Sequence, residues 1–89
     1  MKAYLTLLTP SHSDIITKLV TFNSGKVLVS TGHDQELKFW TYDEPSNEGT
    51  LIVDVPTMHE SHVNDMVKDG ERLVTISDDG TIKMFWLYF

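Results

Sequence analysis

The sequence predicts an all-β fold with hairpin connections. Three observations carry that expectation. Turn signals come at short intervals: Pro10-Ser11, Ser24-Gly25, Pro45 to Asn47, Asp69-Gly70 and Asp79-Gly80. Between them lie short runs rich in β-branched and aromatic residues, and no segment has a long helical period. The chain also repeats itself.

Taken in order, the runs predict strands over 3–8 (AYLTLL), 15–22 (IITKLVTF), 26–31 (KVLVST) and 36–42 (ELKFWTY). Four more follow over 50–55 (TLIVDV), 63–68 (VNDMVK), 71–76 (ERLVTI) and 81–87 (TIKMFWL). In the last run side chains alternate, so Ile82, Met84 and Trp86 share one face and Lys83, Phe85 and Leu87 the other. Both faces are apolar near the strand end. A sheet with one wet face would alternate apolar with polar residues, so this sheet is expected to be covered on both sides.

The chain of 89 residues is one small domain or part of a larger one. A chain this short buries only roughly 60–65% of its unfolded surface, which leaves little margin for a fold standing alone. The net charge of −6 argues against a nucleic-acid backbone or an anionic membrane as the main partner, since both require basic patches. The chain has no cysteine, which removes a disulfide framework, a thiolate zinc site and a cysteine nucleophile together. That composition fits a reducing compartment, and the expected setting is intracellular, cytoplasmic or nuclear. The apolar run before Pro10 is too short for a signal peptide or a membrane span.

The repeat is ungapped where it is clearest. Residues 25–40 (GKVLVSTGHDQELKFW) superimpose on 70–85 (GERLVTISDDGTIKMF) at an offset of 45. Gly25 falls on Gly70, Leu28 on Leu73, Ser30 on Thr75, Asp34 on Asp79, Lys38 on Lys83 and Trp40 on Phe85. Upstream, His12 falls on His59, with Ile16 and Val63 four residues later in each copy.

The order is His, strand, Gly, strand with Ser or Thr, Asp in a tight turn, strand ending in an aromatic. It resembles the WD40 repeat, whose period of about 40–45 residues forms one four-stranded propeller blade. The resemblance implies a partial propeller of two antiparallel four-stranded WD40-type blades across residues 1–89. Blade one would span 11–55 and blade two 58–89, the latter completed by strand 3–8, which matches the outer strand that the N-terminus lends to the last blade in this family. The departures are Ser11 and Met58 where the family favours Gly, and Trp40-Thr41 and Phe85-Trp86 in place of Trp-Asp.

The resemblance also implies a buried hydrogen-bonded tetrad in each blade: His12, Ser30, Asp34 and Trp40, then His59, Thr75, Asp79 and Phe85. Phe85 carries no donor, so the second set is expected to be one link shorter, at a loss of about 1 kcal/mol. Asp79-Gly80 is then a hairpin turn, with Asp78 pointing to solvent. Gln35, in the place of Gly80, would carry a left-handed backbone at a penalty of up to about 1 kcal/mol.

Chemical readings of the same residues are weaker. Ser30 lies inside a predicted strand and no G-x-S-x-G occurs, so His, Ser and Asp do not spell a hydrolase. HESH (59–62) is not H-E-x-x-H and precedes a strand, so it is no zinc-protease motif. No catalytic residue, metal site or cofactor is expected. The implied function is a non-catalytic scaffold module mediating protein–protein interaction, a fragment of a larger propeller. Its rim would carry Ser13, Asp14, His33, Glu60, Ser61, His62 and Asp78. These are polar and net acidic, so the expected partner is a protein or peptide with a basic segment. Two blades cannot close a ring, so further propeller blades in cis or in trans are expected partners too. The alternative is a structural role, in which the blades self-assemble or complete a partner's propeller and have no rim site of their own.

Overall fold

A computed structural model of the chain describes residues 3, 8, 12–43 and 48–88. Seven strands run β1 (Ile16–Phe22), β2 (Val27–Gly32), β3 (Glu36–Asp43), β4 (Glu48–Pro56), β5 (Val63–Asp69), β6 (Arg72–Ser77) and β7 (Ile82–Trp86). All pairings are antiparallel. The first sheet has the order β1-β2-β3-β4 and the second β5-β6-β7.

The expectation of two four-stranded sheets is thereby corrected: the first has four strands and the second three. The first sheet takes its fourth strand from the hairpin after β3. No strand pairs with the outer side of β7 among the described residues. The strand predicted over 3–8 lies outside the described residues except for Ala3 and Leu8. Leu8 rests on Gly49 of β4, in the space a side chain at 49 would fill.

The repeat persists in backbone detail. A bulge interrupts β1 between Ile16 and Lys18, and β5 between Val63 and Asp65. Each sheet has the same tight turn, closed by Gln35 N–H to Gly32 C=O and by Gly80 N–H to Ser77 C=O, both at 3.1 Å. The fourth residue of each turn is left-handed, Gln35 at φ 66° and Gly80 at φ 81°. Glycine takes that conformation without the Cβ clash that glutamine bears.

The core lies between the sheets. Phe22, Val27, Val29, Leu37 and Phe39 of the first pack with Met66 and Leu73 of the second, flanked by Val20, Val55, Phe85 and Leu87. Period 2 explains the selection: Val27, Val29 and Leu37 share one side of the first sheet, and Leu73 and Phe85 are paired across β6 and β7. Polar contacts join the sheets at the margin. Thr17 donates from Oγ1 to Val63 C=O at 2.7 Å, and Lys68 reaches Thr21 C=O at 3.0 Å over the Phe22 ring.

The other side of the second sheet is open. Val67, Ile76, Ile82, Met84 and Trp86 are exposed, Ile82 by 74% and Trp86 by 61%. The expectation that this sheet is covered on both faces is met on one face only among the described residues. At the offset of 45, Val74, Ile82 and Met84 stand where Val29, Leu37 and Phe39 stand in the first sheet. Those three are buried under the second sheet.

Met58, at a position where the family favours Gly, has φ 65° and is 73% exposed. Its side chain gains little burial to offset the left-handed backbone. The Lys83 ammonium bonds the Met58 backbone carbonyl at 2.9 Å, which any residue supplies. Met58→Gly is therefore expected to stabilise the chain by about 0.5 kcal/mol, after allowance for glycine's looser unfolded state. Urea midpoints at unchanged slope measure this, and a lower midpoint in the variant would contradict it.

Candidate functional site: a duplicated tetrad and its rim

In the first sheet, β2 and β3 place Ser30 and Trp40 on one face, two residues apart across the ladder. The chain entering β1 brings His12 over them. Trp40 Nε1–H donates to Ser30 Oγ at 3.0 Å, and Ser30 Oγ lies 2.7 Å from His12 Nε2. His12 Nδ1 faces both Asp34 oxygens, at 2.9 and 2.8 Å. A carboxylate only accepts, so Nδ1 carries the proton, Nε2 accepts from the serine, and the chain of donors runs Trp40, Ser30, His12, Asp34. Asp34 also accepts from the backbone N–H groups of Ser13 at 3.1 Å and Glu36 at 3.2 Å. One carboxylate thus holds the entering loop and its own turn together. The His12 ring is fully buried.

The second sheet repeats this with two changes. Thr75 Oγ1 donates to His59 Nε2 at 2.7 Å, and Asp79 accepts from Glu60 N–H and Thr81 N–H, each at 2.8 Å. The direct His59–Asp79 distance is longer, 3.3 Å. Thr81 fills the gap: its hydroxyl accepts from His59 Nδ1 at 2.9 Å and donates to Asp79 at 2.5 Å. Phe85 takes no part in these bonds and packs against the core between the sheets. The second set thus loses the aromatic donor at one end and gains a hydroxyl at the other. Thr81 is absent from the expected set; its signal is position, two residues after the turn Asp, where the first repeat has Glu36.

The hydroxyl of Thr81 and the N–H groups of Glu60 and Thr81 hold the Asp79 carboxyl well below the usual carboxylate range, with His59 adding to them. Those bonds favour the ionised form. The stability this adds is complete above about pH 4 and is lost as pH falls below it.

At the margin of β3 and β4, Glu36 and Asp54 are within hydrogen-bonding reach, and Lys38 bonds Asp54 at 2.6 Å. The hydrogen bond from Glu36 and then that from Lys38 lower the Asp54 carboxyl. The shared bond with Asp54, then burial and repulsion from Asp54 and Asp34, raise the Glu36 carboxyl to about 6. Glu36 therefore stabilises the fold most below its ordinary range, and that contribution is lost as pH rises through about 6. Glu36→Gln is expected to raise stability at pH 7.5 by roughly 0.5–1 kcal/mol, the scale of a cross-strand like-charge contact, and to change it little at pH 4. Urea unfolding at the two pH values decides; an equal effect at both contradicts the assignment.

The rim residues fall into two groups. Ser13 and Glu60 occupy equivalent positions and spend their N–H groups on Asp34 and Asp79. Asp14 is exposed and accepts from its neighbour Ile15 N–H at 2.7 Å. His33 and His62 meet across the boundary between the sheets, their rings stacked at 4.0 Å and 7° from parallel. Asp78 joins them, its N–H donating to His62 C=O at 3.2 Å and its carboxylate accepting from the Asn64 amide. Ser61 C=O accepts from the Ser77 hydroxyl at 3.2 Å. Thr57, fully buried, ties the second loop to the first sheet through Gln35 C=O at 2.9 Å. Neither the stack, Asn64 nor Thr57 is legible from spacing.

This duplicated geometry has a counterpart among known proteins. The chain matches the WD40 family (WD domain, G-beta repeat) over residues 4–41 and 49–85. It belongs to the WD40 family. It is 28% identical over 78 residues to human WD repeat-containing protein 36, covering 84% of this chain and 9% of that protein. It is 45% identical over 42 residues to the 26S proteasome regulatory subunit RPN14 of Saccharomyces cerevisiae (strain ATCC 204508 / S288c), covering 47% of this chain and 10% of that protein. The chain thus spans about a tenth of the length of these relatives. No solved structure matches it at a significant level.

WD40 modules generally mediate protein–protein contacts and are generally non-catalytic. Among the described residues no three His, Cys, Asp or Glu side chains are grouped to hold a metal ion. No helix among them is long and apolar enough to cross a membrane.

Proposed function

We propose that this WD40 module binds a basic segment of a partner protein on the rim formed by Ser13, Asp14, His33, Glu60, Ser61, His62 and Asp78, within a larger propeller. The observation that carries the rim reading is the His33–His62 stack, which joins the loops of both sheets into one surface beside Asp78. The net charge of −6 favours a cationic partner over nucleic acid. The larger propeller is supported by the open face of the second sheet, whose apolar residues hold the positions that are buried in the first. A blade presenting the face that carries Leu73 and Phe85 would cover it as the second sheet covers the first. Blade one is then 11–55 and blade two begins at 58. The lack of cysteine fits a cytoplasmic or nuclear setting.

The test is charge reversal. The double variant Glu60→Lys, Asp78→Lys is expected to weaken binding of a Lys/Arg-rich peptide at least about tenfold, with a thermal midpoint close to that of the wild type. Calorimetric titration at two salt concentrations measures it. Unchanged affinity would remove the rim reading.

A further inference from the structure

We propose that the rim selects an arginine over a lysine in its partner's basic segment, the guanidinium lying flat on the His33–His62 stack as a third layer with Asp78 as its carboxylate. This rests on the rim reading above and deepens it by naming the side chain that the rim prefers.

The stack is a fixed platform. Its two rings lie 4.0 Å apart and 7° from parallel. Each histidine is tied through its backbone to a neighbouring loop. His33 N–H bonds Ile15 C=O at 2.8 Å, and His62 C=O accepts from Asp78 N–H at 3.2 Å. His33 is half-buried and His62 is exposed. His33 covers one face of the His62 ring, so the opposite face is the side open to a ligand. A flat ring already held in place needs little further ordering on binding, so more of the contact free energy shows as affinity.

The charge around the stack is one-sided. The four loops joined there, 12–15, 32–36, 57–62 and 77–81, contain six acids and no lysine or arginine. Lys83 comes from β7 and bonds the Met58 carbonyl, away from His62 along the same loop. Asp34 and Asp79 are engaged by the buried histidines and backbone N–H groups, and Glu36 is engaged with Asp54. Asp78 is the acid best placed for a ligand. The pairing of Val63 with Ser77 sets it beside His62. Its Oδ1 accepts from the Asn64 amide, which orients the carboxylate, and its Oδ2 has no bond among the described residues.

This geometry separates the two basic side chains. A guanidinium is planar, spreads its charge over the plane and donates along its edges. It can lay its face on His62 and turn an edge to Asp78 at the same time. An ammonium is compact and strongly hydrated, and has no flat face to lay on the ring. Lysine therefore keeps the charge attraction and loses the stacking contact.

Two peptides of one sequence, with arginine or with lysine at every basic position, test this by calorimetric titration of the full chain. The titration is run at about pH 8, above the ordinary imidazole range. The arginine peptide is expected to bind at least about fivefold more tightly. His62→Ala is expected to remove that preference, and His62→Phe, which keeps a flat ring, to retain it. In NMR spectra the ring signals of His33 and His62 should move on adding the arginine peptide, while those of His12 and His59, whose rings are fully buried, should not. Equal binding of the two peptides, or a preference that survives His62→Ala, overturns the proposal and leaves the rim reading standing. Binding of neither peptide overturns both. If circular dichroism finds His62→Ala unfolded, His62→Phe decides: a folded variant that has lost the preference overturns the proposal.

Discussion

Asp34→Ala is expected to destabilise the chain by about 3 kcal/mol, the scale of breaking a buried pair and orphaning its donors. The Asp34 carboxylate accepts from the His12 ring and from two backbone N–H groups, those of Ser13 and Glu36. Its removal leaves a fully buried imidazole N–H without an acceptor and unpins the loop entering β1. For a domain of this size that corresponds to a fall of roughly 12–24 °C in thermal midpoint. Asp34→Asn keeps one accepting oxygen and should lose about half as much. Asp14→Ala, at the exposed neighbouring acid, should stay within about 0.5 kcal/mol of wild type. Denaturation of the three variants side by side checks this, and equal losses at Asp14 and Asp34 would refute the tetrad as a stabilising unit.

Leu73→Ala is expected to cost about 3 kcal/mol through a cavity between the two sheets. Leu73 is fully buried and belongs to the cluster that includes Phe22, Val29 and Phe39 of the first sheet. Its neighbour Val74 points to the open face, so Val74→Ala should lose well under half as much. The cluster is the main apolar contact between the sheets, so Leu73→Ala should also weaken their coupling. Hydrogen exchange is expected to rise in β1 and β5, which contact each other directly, more than in β3 and β4. Similar losses for Leu73→Ala and Val74→Ala would show that the sheets do not pack through this face.

Strand identity was legible because its signals are local. Seven of the eight predicted runs are strands with ends shifted by two residues or fewer, since alternation and turn residues act within a few positions. The tetrads were legible for a different reason. The resemblance to the WD40 repeat implies them, and the structure brings His12 to Asp34 and His59 to Asp79 at matching places in the two copies. Thr81 escaped because the first repeat has Glu36 in its place, and a residue present in one copy leaves no mark in a repeat. The three-stranded second sheet escaped because strand count depends on where a separate segment pairs, which no local pattern encodes.

By itself the sequence determined the class, the repeat and the turns at Gln35 and Gly80. Each follows from periodicity or from the ungapped match of 25–40 to 70–85. The partners of His12 and His59 are what the resemblance to the WD40 repeat implies. Only the tertiary structure decided which face of the second sheet is covered, that His33 meets His62, and that the second sheet has three strands among the described residues. Both faces of β7 read as apolar, so nothing along the chain distinguishes Phe85, turned to the core, from Trp86, turned outward. Burial is a property of what lies opposite, and here what lies opposite the covered face is a sheet from the other repeat.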